Sequence, residues 1–568
     1  MKKKHIKAVG IALASLFAFS AAACNNNTLP NEPESNVAEV KAVVAGYGVD
    51  WLTAAAAKFN EMYAEEGYEI RITLTDTEIN AQNEITTPNK NTTDLYFEYN
   101  NIDNLIDRSR NILKETGASL LEDLTDVYTA KAIGEDKQEQ GKPIGERLDS
   151  RAEDFCSYTG VLSGYDGVYA LPTQGGTTGL YVNMKTLREK GYTSDDLLTT
   201  DALLNMVEEL APADPLDTTA FFPVAWSGLK APGYWNYLCQ ILIAQYTGAT
   251  RYENIWNFVP ANGTVVDQGY TVYQERGIYE ALKVTEELEN RDYAVPGTTS
   301  LTHTAAQARV FKGESLMMVS GDWIYKEMEK DYPALLDDVI AVKTPVISAL
   351  GVKLGLCGTA HAMPDKTSDD VEIADVSCDA CETKLRAIVK AVDEGTMTDA
   401  EIASAQGVGA DKVATIRASR GYYQGSTCKA VAFIPSYSNA KKVAKLFLRF
   451  LMSDDGNAIY NEHTYSYFDI QHITPLDPAE MNEREKAVYD KMYDENSSPV
   501  YEDESSRLRS VANVAFYPQE GTLVNAYTGL SYSHSNGKPT FTAKSIYEGN
   551  IKYARLNWQD WLQAARLI

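Results

Sequence analysis

The chain has 568 residues, of which 79 are acidic and 52 are basic, so its formal net charge is −27. A surface with this excess of acid repels nucleic acid and anionic lipid headgroups, which argues against both as partners. The composition, 44% hydrophobic and 23% charged, is typical of a globular protein, and the length suits two or more domains.

The first residues have the pattern of an export signal. A basic start, MKKKHIK, precedes the apolar stretch 8–19, which is shorter than the roughly 20 residues that a membrane-spanning helix needs. Small residues then lead into Cys24, and this junction resembles a bacterial lipobox, although Ala21 stands where leucine is usual. The resemblance implies a lipid on Cys24 and attachment to the outer face of the cytoplasmic membrane. We predict a signal peptide at residues 1–23 and a flexible tether at residues 24–37. The alternative is a plain signal peptide with an incidental cysteine.

The first elements after the tether alternate between strand and helix. An apolar run at residues 40–46 predicts a strand, and a helix follows with Trp51, Ala55 and Phe59 on one face. The alternating segment YEIRITLTD and the short segment DLYF predict two more strands. This order predicts an α/β layer architecture with mostly parallel strand pairing.

The middle of the chain predicts three strands and a short helix. Residues 164–183 predict two strands joined by a Pro-Thr-Gln-Gly-Gly corner. Thr304 and Gln307 form a T-x-x-Q pattern that predicts the start of a short helix. The apolar run 316–319 then predicts a buried strand, which ends in Gly321, Asp322 and Trp323.

The last third predicts helices around one more strand. Residues 431–434 predict a buried strand, and an amphipathic helix beginning at Ser438 follows it. Residues 365–428 predict an extra helical insertion. The last segment, KSIYEGNIKYARLNWQDWLQAARLI, predicts a helix in which Trp558 and Trp561 serve packing.

The cysteines do not predict a metal site. Cys378-Asp-Ala-Cys381 is a single CxxC, whereas a structural zinc site requires a second pair of cysteines or histidines at short spacing. The histidines of the chain are scattered. An exported protein can form disulfides, but the sequence does not choose among the possible pairings of the remaining cysteines.

Signatures of catalysis are missing from the sequence. It contains no GxSxG, HExxH or P-loop motif, and the glycine cluster at residues 175–179 lacks the GxGxxG spacing of a dinucleotide turn. A pair of catalytic carboxylates cannot be identified by counting among 79 acids. We therefore predict no enzyme activity, no cofactor and no metal.

Four segments together resemble one protein family. GYGVDWLTAAAAKFNE, DGVYALPTQGGTTGLYVNMKTLREKGY, TAAQARVFKGESLMMVSGDW and PSYSNAKKVAKLFLRFLMSDDG are similar to family 1 extracellular solute-binding proteins, the maltose-binding-like receptors of ABC importers. The resemblance implies a periplasmic-binding-protein-like fold of type II, with two α/β lobes built from discontinuous pieces and a ligand cleft between them. We predict lobe one at residues 38–160 plus 340–465, including the insertion, and lobe two at residues 161–339 plus 466–568.

The predicted ligand is a neutral oligosaccharide. A pyranose has one face of C–H groups and a rim of hydroxyls, so its site needs aromatic rings together with polar partners. The predicted cleft segments contain this mixture with almost no Lys or Arg apart from Lys230, and the family often has aromatic residues at the positions of Tyr234, Trp235 and Trp323. The predicted ligand-binding residues are Tyr47, Glu98, Tyr99, Asn100, Gln174, Thr177, Trp226, Tyr234, Trp235, Asp322 and Trp323.

The resemblance implies a monomeric receptor that delivers its ligand to the permease subunits of an ABC transporter. Two alternatives stay open at this point. The first is a surface glycoside-processing enzyme that shares aromatic subsites, and the second is a receptor for a solute that is not a sugar.

Overall fold

The computed structural model describes most of the chain after the predicted tether begins. The described residues are 34–42, 47–74, 81–87, 91–98, 102–148, 156–173, 176–229, 231–290, 292–368, 370–425, 430–467, 481–500, 508 and 542–568. Cys24 and the predicted signal peptide lie outside them. The described residues form two compact units, the first from residues up to 173 together with 430–462, and the second from residues 176–425, 463–467 and those from 481 onward.

The first unit is built around a five-stranded sheet with the strand order β2-β1-β3-β12-β6. The strands of this sheet are β1 (Val37–Ala42), β2 (Glu69–Leu74), β3 (Leu95–Glu98), β6 (Leu171–Pro172) and β12 (Val431–Phe433). Two further strands of the unit, β4 (Lys131–Ile133) and β5 (Glu139–Pro143), form a separate two-stranded antiparallel sheet. Its helices are α1 (Asp50–Met62), α2 (Ala81–Ile85), α3 (Ile102–Thr116), α4 (Thr125–Thr129), α5 (Ile144–Arg147), α18 (Lys441–Leu451) and α19 (Asp454–Thr464). Strands β1, β2 and β3 pair in parallel, as predicted, whereas β12 runs antiparallel to β3 and β6.

The helices of the first unit form because their apolar residues repeat at helical spacing. In α1, Trp51, Ala55 and Phe59 are buried, and the Phe59 ring packs edge-to-face on Phe447 of α18 at 5.4 Å between centroids. The second of these helices begins at Lys441 rather than at the predicted Ser438. The Ser438 hydroxyl instead donates to the Asp94 carboxylate at 2.7 Å, which holds the preceding turn.

The second unit contains a six-stranded sheet in which β13, β11, β7, β9 and β8 are neighbours in that order and β10 also pairs with β7. Its strands are β7 (Thr177–Asn183), β8 (Phe222–Val224), β9 (Ser315–Gly321), β10 (Val339–Ala341), β11 (Tyr422–Gly425) and β13 (Ser498–Val500). Its helices are α6 (Met184–Glu189), α7 (Thr200–Leu210), α8 (Trp235–Thr247), α9 (Ala249–Trp256), α10 (Val265–Gln268), α11 (Arg276–Leu288), α12 (His303–Phe311), α13 (Trp323–Glu329), α14 (Ser348–Lys353), α15 (Asp379–Glu394), α16 (Asp399–Gln406), α17 (Ala410–Arg420), α20 (Glu483–Tyr493) and α21 (Ala543–Ala564).

The insertion is helical, as predicted, but it belongs to the second unit and not to the first. Leu385 and Ile388 of α15 are fully buried in the hydrophobic core that also contains α8 and α11. The guanidinium of Arg420, at the end of α17, donates to the Thr344 carbonyl at 2.9 Å. Residues 340–425 therefore pack with the second unit, which corrects the predicted division into lobes. The physical reason begins with β10, which pairs antiparallel with β7 of that unit.

Two other predictions concern the last helix, α21, and the start of α12. The last helix, α21, buries Trp558 and Trp561 in the core, so their predicted packing role is confirmed. The N-cap of α12 is Thr302 rather than Thr304, since the Thr302 hydroxyl accepts the Ala305 N–H, and Gln307 bonds to the Glu327 side chain. No helix in the part of the chain that the structure describes has the length and apolar character needed to cross a membrane.

Candidate functional site

The candidate site lies where β9 ends beside the start of β7 in the second unit. The two strands are antiparallel, with Thr178 opposite Gly321. The Asp322 N–H donates to the Thr177 carbonyl at 3.1 Å, and the Asp322 carboxylate accepts the Thr177 N–H at 3.1 Å. This reciprocal pair fixes the turn in which the β9 backbone leaves the sheet and enters α13.

Two further groups hold the Asp322 carboxylate in the interior. The hydroxyl of Ser466 donates to it at 2.6 Å, and Asp322 is fully buried. The ammonium of Lys491 is also buried and donates to the Thr178 carbonyl at 3.0 Å. Burial lowers the pKa of Lys491 to about 8, and the negative charge of Asp322 acts in the opposite direction. The carboxylate and the ammonium offset each other, so they hold the strand end without adding net charge to it.

Gly321 shapes the surface above this buried network. The ring of Trp323 folds back over the Gly321 backbone so closely that a Cβ at this position would overlap the six-membered part of the indole. Gly321 leaves the space above its backbone free of a side chain. The structure shows that it admits the neighbouring indole, and the glycine therefore sets the orientation of Trp323.

Trp323 belongs to a cluster of three half-buried aromatic residues, which we call the ring cluster: Tyr234, Tyr237 and Trp323. The indole N–H donates to the Tyr234 hydroxyl at 3.2 Å. The Trp323 ring lies 5.8 Å from Tyr234 and 6.1 Å from Tyr237 between centroids, and both contacts are edge-to-face. Edge-to-face packing leaves ring faces at differing angles, and partial exposure makes this surface available to a ligand.

The neighbouring tryptophans have a different role from the predicted one. Trp226 and Trp235 are 4% and 2% exposed, pack at 6.4 Å in an edge-to-face contact, and belong to the hydrophobic core of the second unit. Trp235 is the first residue of α8, and successive helical residues point about 100° apart, so Tyr234 and Trp235 cannot face the same way. Tyr237, which the sequence analysis did not select, shares the outer side with Tyr234 because it lies three residues away.

The remaining predicted ligand residues belong to both units or lie outside the described residues. Tyr47 and Glu98 are in the first unit, where both are buried and Tyr47 packs against Tyr460 at 6.1 Å. Thr177 is buried in the network beneath the ring cluster. Tyr99, Asn100, Gln174 and Lys230 lie outside the described residues. The structure thus brings Tyr234 and Trp323 together, with Asp322 and Thr177 below them as positioning residues.

More than half of the chain matches the sequence model of one protein family. Residues 54–374 match the model for a bacterial extracellular solute-binding protein. The chain belongs to this family. Among curated protein sequences, none matches the solute-binding protein.

Solved structures show the same fold over nearly the whole chain. A structure from a study of xylan utilization by Caldanaerobius polysaccharolyticus aligns with a TM-score of 0.51 at 10% identity, covering 91% of this chain and 99% of that one. The apo form of RafE from Streptococcus pneumoniae has a TM-score of 0.51 at 12% identity, covering 92% and 99%. A chitin oligosaccharide binding protein has a TM-score of 0.50 at 13% identity, covering 92% and 98%. The solute-binding protein therefore has the two-lobed α/β fold of type II substrate-binding proteins.

Proposed function

We propose that the protein is a lipid-anchored extracellular receptor that binds a neutral oligosaccharide and delivers it to the permease of an ABC importer. The family and the fold are those of binding proteins. The observation that carries the sugar proposal is the ring cluster, in which Tyr234, Tyr237 and Trp323 remain partly exposed beside the end of β9. Aromatic faces of this kind suit the C–H face of a pyranose, and the tyrosine hydroxyls suit its rim.

A buried pair of opposite charges lies beneath the ring cluster. Asp322 and Lys491 are buried together, and the Asp322 oxygen that accepts from Thr177 and Ser466 is engaged inside the protein. A carboxylate held in this way supports the turn and does not act as a proton donor to a ligand. This arrangement favours a receptor over a glycoside-processing enzyme, which needs two carboxylates placed about 5–10 Å apart across the scissile bond.

Calorimetry with a panel of neutral oligosaccharides tests the proposal. We expect saturable binding of one member of a panel of xylo-, chito- and malto-oligosaccharides, since some structures with this fold are described in connection with xylan or chitin oligosaccharide. The same mixtures should show no new reducing ends after prolonged incubation. Heat of binding only with charged solutes that are not sugars would contradict the ligand class, and new reducing ends would favour the enzyme.

Gly321→Ala is expected to weaken binding of that oligosaccharide without unfolding the protein. The added methyl group displaces the Trp323 indole from the strand end. The loss in affinity should lie between a few-fold and the roughly thirtyfold expected when a central aromatic anchor is removed. Ser320→Ala is the matched control, because the Ser320 hydroxyl is buried without a hydrogen-bond partner among the described residues. Equal affinities of the two variants would contradict the positioning role of Gly321.

Cys24→Ser is expected to release the protein from the membrane. In the proposed anchor the Cys24 thiol carries the lipid, and serine cannot take its place. Fractionation of cells that express each form, followed by detection of the protein in membrane and soluble fractions, measures the effect. If the variant stays with the membrane through detergent-free washes, the lipid is not attached at Cys24.

A further inference from the structure

Four side chains of types that can bind a metal ion lie together in the second unit, and none of them is a neighbour of the ring cluster in sequence. They are Cys357, His361, Cys378 and Cys381, and their ligand atoms all lie within 4.8 Å of one another. The His361 Nε2 is 3.3 Å from the Cys357 sulfur and 3.7 Å from the Cys381 sulfur. Cys381 is fully buried, and the other three are half-buried.

The two separations between His361 and a cysteine sulfur are close to those between the ligands of a tetrahedral zinc ion, and the other ligand atoms lie within 4.8 Å. With Zn–S bonds of about 2.3 Å and Zn–N bonds of about 2.0–2.1 Å, neighbouring ligands are about 3.5–3.8 Å apart. Three cysteines and one histidine form one of the standard structural zinc sets. We propose that Cys357, His361, Cys378 and Cys381 bind one structural Zn²⁺ ion.

The local backbone positions the cysteine sulfurs. The N–H groups of Thr359 and Cys357 donate to the sulfurs of Cys357 and Cys381, each at 3.4 Å. Cys378 is the N-cap of α15 and Cys381 lies in its first turn, so the start of this helix places the two cysteines close together. Gly358, with a φ of +92°, makes the tight turn that directs Cys357 and His361 to the same point.

A zinc ion at this point would cross-link an unusually long irregular segment. No helix or strand is assigned to the described residues between the end of α14 at Lys353 and the start of α15 at Asp379. Segments of this length inside a compact unit are uncommon without a cross-link or a function. Cys357 and His361 belong to the start of this segment, whereas Cys378 and Cys381 flank the start of α15. A shared metal would close the segment into a loop in the folded protein, and because its ligands meet only there, its binding free energy would add to the stability of the fold.

The proposed zinc site departs from the prediction that the cysteines form no metal site. That prediction treated Cys378 and Cys381 as a single pair, because the other two residues, Cys357 and His361, do not form a second CxxC. Cys357 and His361 are spaced as Cys-x3-His, and the fold of the irregular segment brings them to the CxxC. Binding replaces the thiol protons by the metal and needs no oxidant, in contrast to a disulfide.

Metal analysis of the purified protein tests this site. We expect about one zinc ion per chain by mass spectrometry of the metal content. After zinc is removed with a chelator under reducing conditions, cobalt should give the strong visible absorption of a tetrahedral ion with thiolate-to-cobalt charge transfer. His361→Gln and Cys378→Ser should weaken zinc binding by more than about a hundredfold in competition with a chromophoric chelator, beyond the effect of losing an outer-shell partner.

The matched controls are His303→Gln and Cys156→Ala, which change residues of the same types that are not part of the cluster. Both should retain zinc, and the chelator should lower the melting temperature of the wild type and of these controls but not of the ligand variants. Cobalt absorption of the wild type does not depend on the folding of any variant. The proposal is overturned if the wild type takes up neither zinc nor cobalt, or if peptide mapping finds Cys378 and Cys381 joined in a disulfide.

Discussion

Trp235→Ala is expected to lower the free energy of unfolding by about 3–5 kcal/mol, the usual cost of truncating a buried tryptophan. The Trp235 side chain is 2% exposed and packs against Trp226 in the core of the second unit. Removal of the indole leaves a cavity between the start of α8 and the residues around it. Urea unfolding, followed through the transition of the second unit, measures the loss.

Tyr237→Ala provides the comparison within the same helix. Tyr237 is half-buried on the outer side of α8, so its truncation should cost far less stability than the truncation of Trp235. Trp235 was predicted from the sequence to bind the ligand, and an exposed ligand-binding position makes the opposite prediction. Unchanged stability of Trp235→Ala together with weakened ligand binding would therefore contradict the core position.

The elements that the sequence predicted well are those whose pattern is local. Helices α1 and α21 have apolar residues at helical spacing, and each buries the tryptophans that the pattern placed on its inner face. Strand β3 is a short, fully buried segment, and strand β1 alternates between buried and half-buried residues. Their pairing follows from the alternation of strands and helices, which leaves few possible topologies.

The errors arose where three-dimensional packing decides between equal local patterns. The sequence correctly predicted that residues 379–420 are helical. Which unit packs on the apolar faces of these helices depends on contacts such as that between Arg420 and the Thr344 carbonyl. Tyr234 and Trp235 are adjacent in a segment rich in glycine and proline, and only the start of α8 shows which ring faces outward. A ligand-binding surface and a hydrophobic core can both be rich in aromatic residues. Composition alone therefore does not decide whether Trp235 lies on the surface or in the core.

The polar network beneath the ring cluster also could not be predicted from the sequence. Nothing in the pattern around Ser466 or Lys491 connects these residues with Asp322, which precedes them by more than a hundred positions. The chain returns to the end of β9 only because the residues around Ser466 cross into the second unit. The Gly-Asp-Trp order was informative for a different reason than expected. The aspartate holds the turn, the glycine makes room, and the tryptophan alone reaches the surface.

Trp323→Ala is expected to weaken oligosaccharide binding at least about thirtyfold, which corresponds to the 2 kcal/mol or more that a central aromatic anchor contributes. The indole is half-buried, is oriented by Gly321 below it, and is held at its N–H by the Tyr234 hydroxyl. Calorimetry with the oligosaccharide selected from the panel gives the affinity. Melting of the variant without ligand should change much less than that of Trp235→Ala, because the Trp323 ring is partly exposed.

Trp323→Phe separates stacking from hydrogen bonding at this position. Phenylalanine keeps an aromatic face but cannot donate to the Tyr234 hydroxyl, so an affinity between those of the wild type and the alanine variant is expected if ring stacking dominates. Tyr234→Phe removes the other partner of the same bond and keeps its ring. If Trp323→Ala binds as tightly as the wild type while Tyr234→Phe does not, the sugar is held by the tyrosine hydroxyl and not by the indole. If neither affects binding, the ligand does not contact the ring cluster, and the site must be sought elsewhere in the protein.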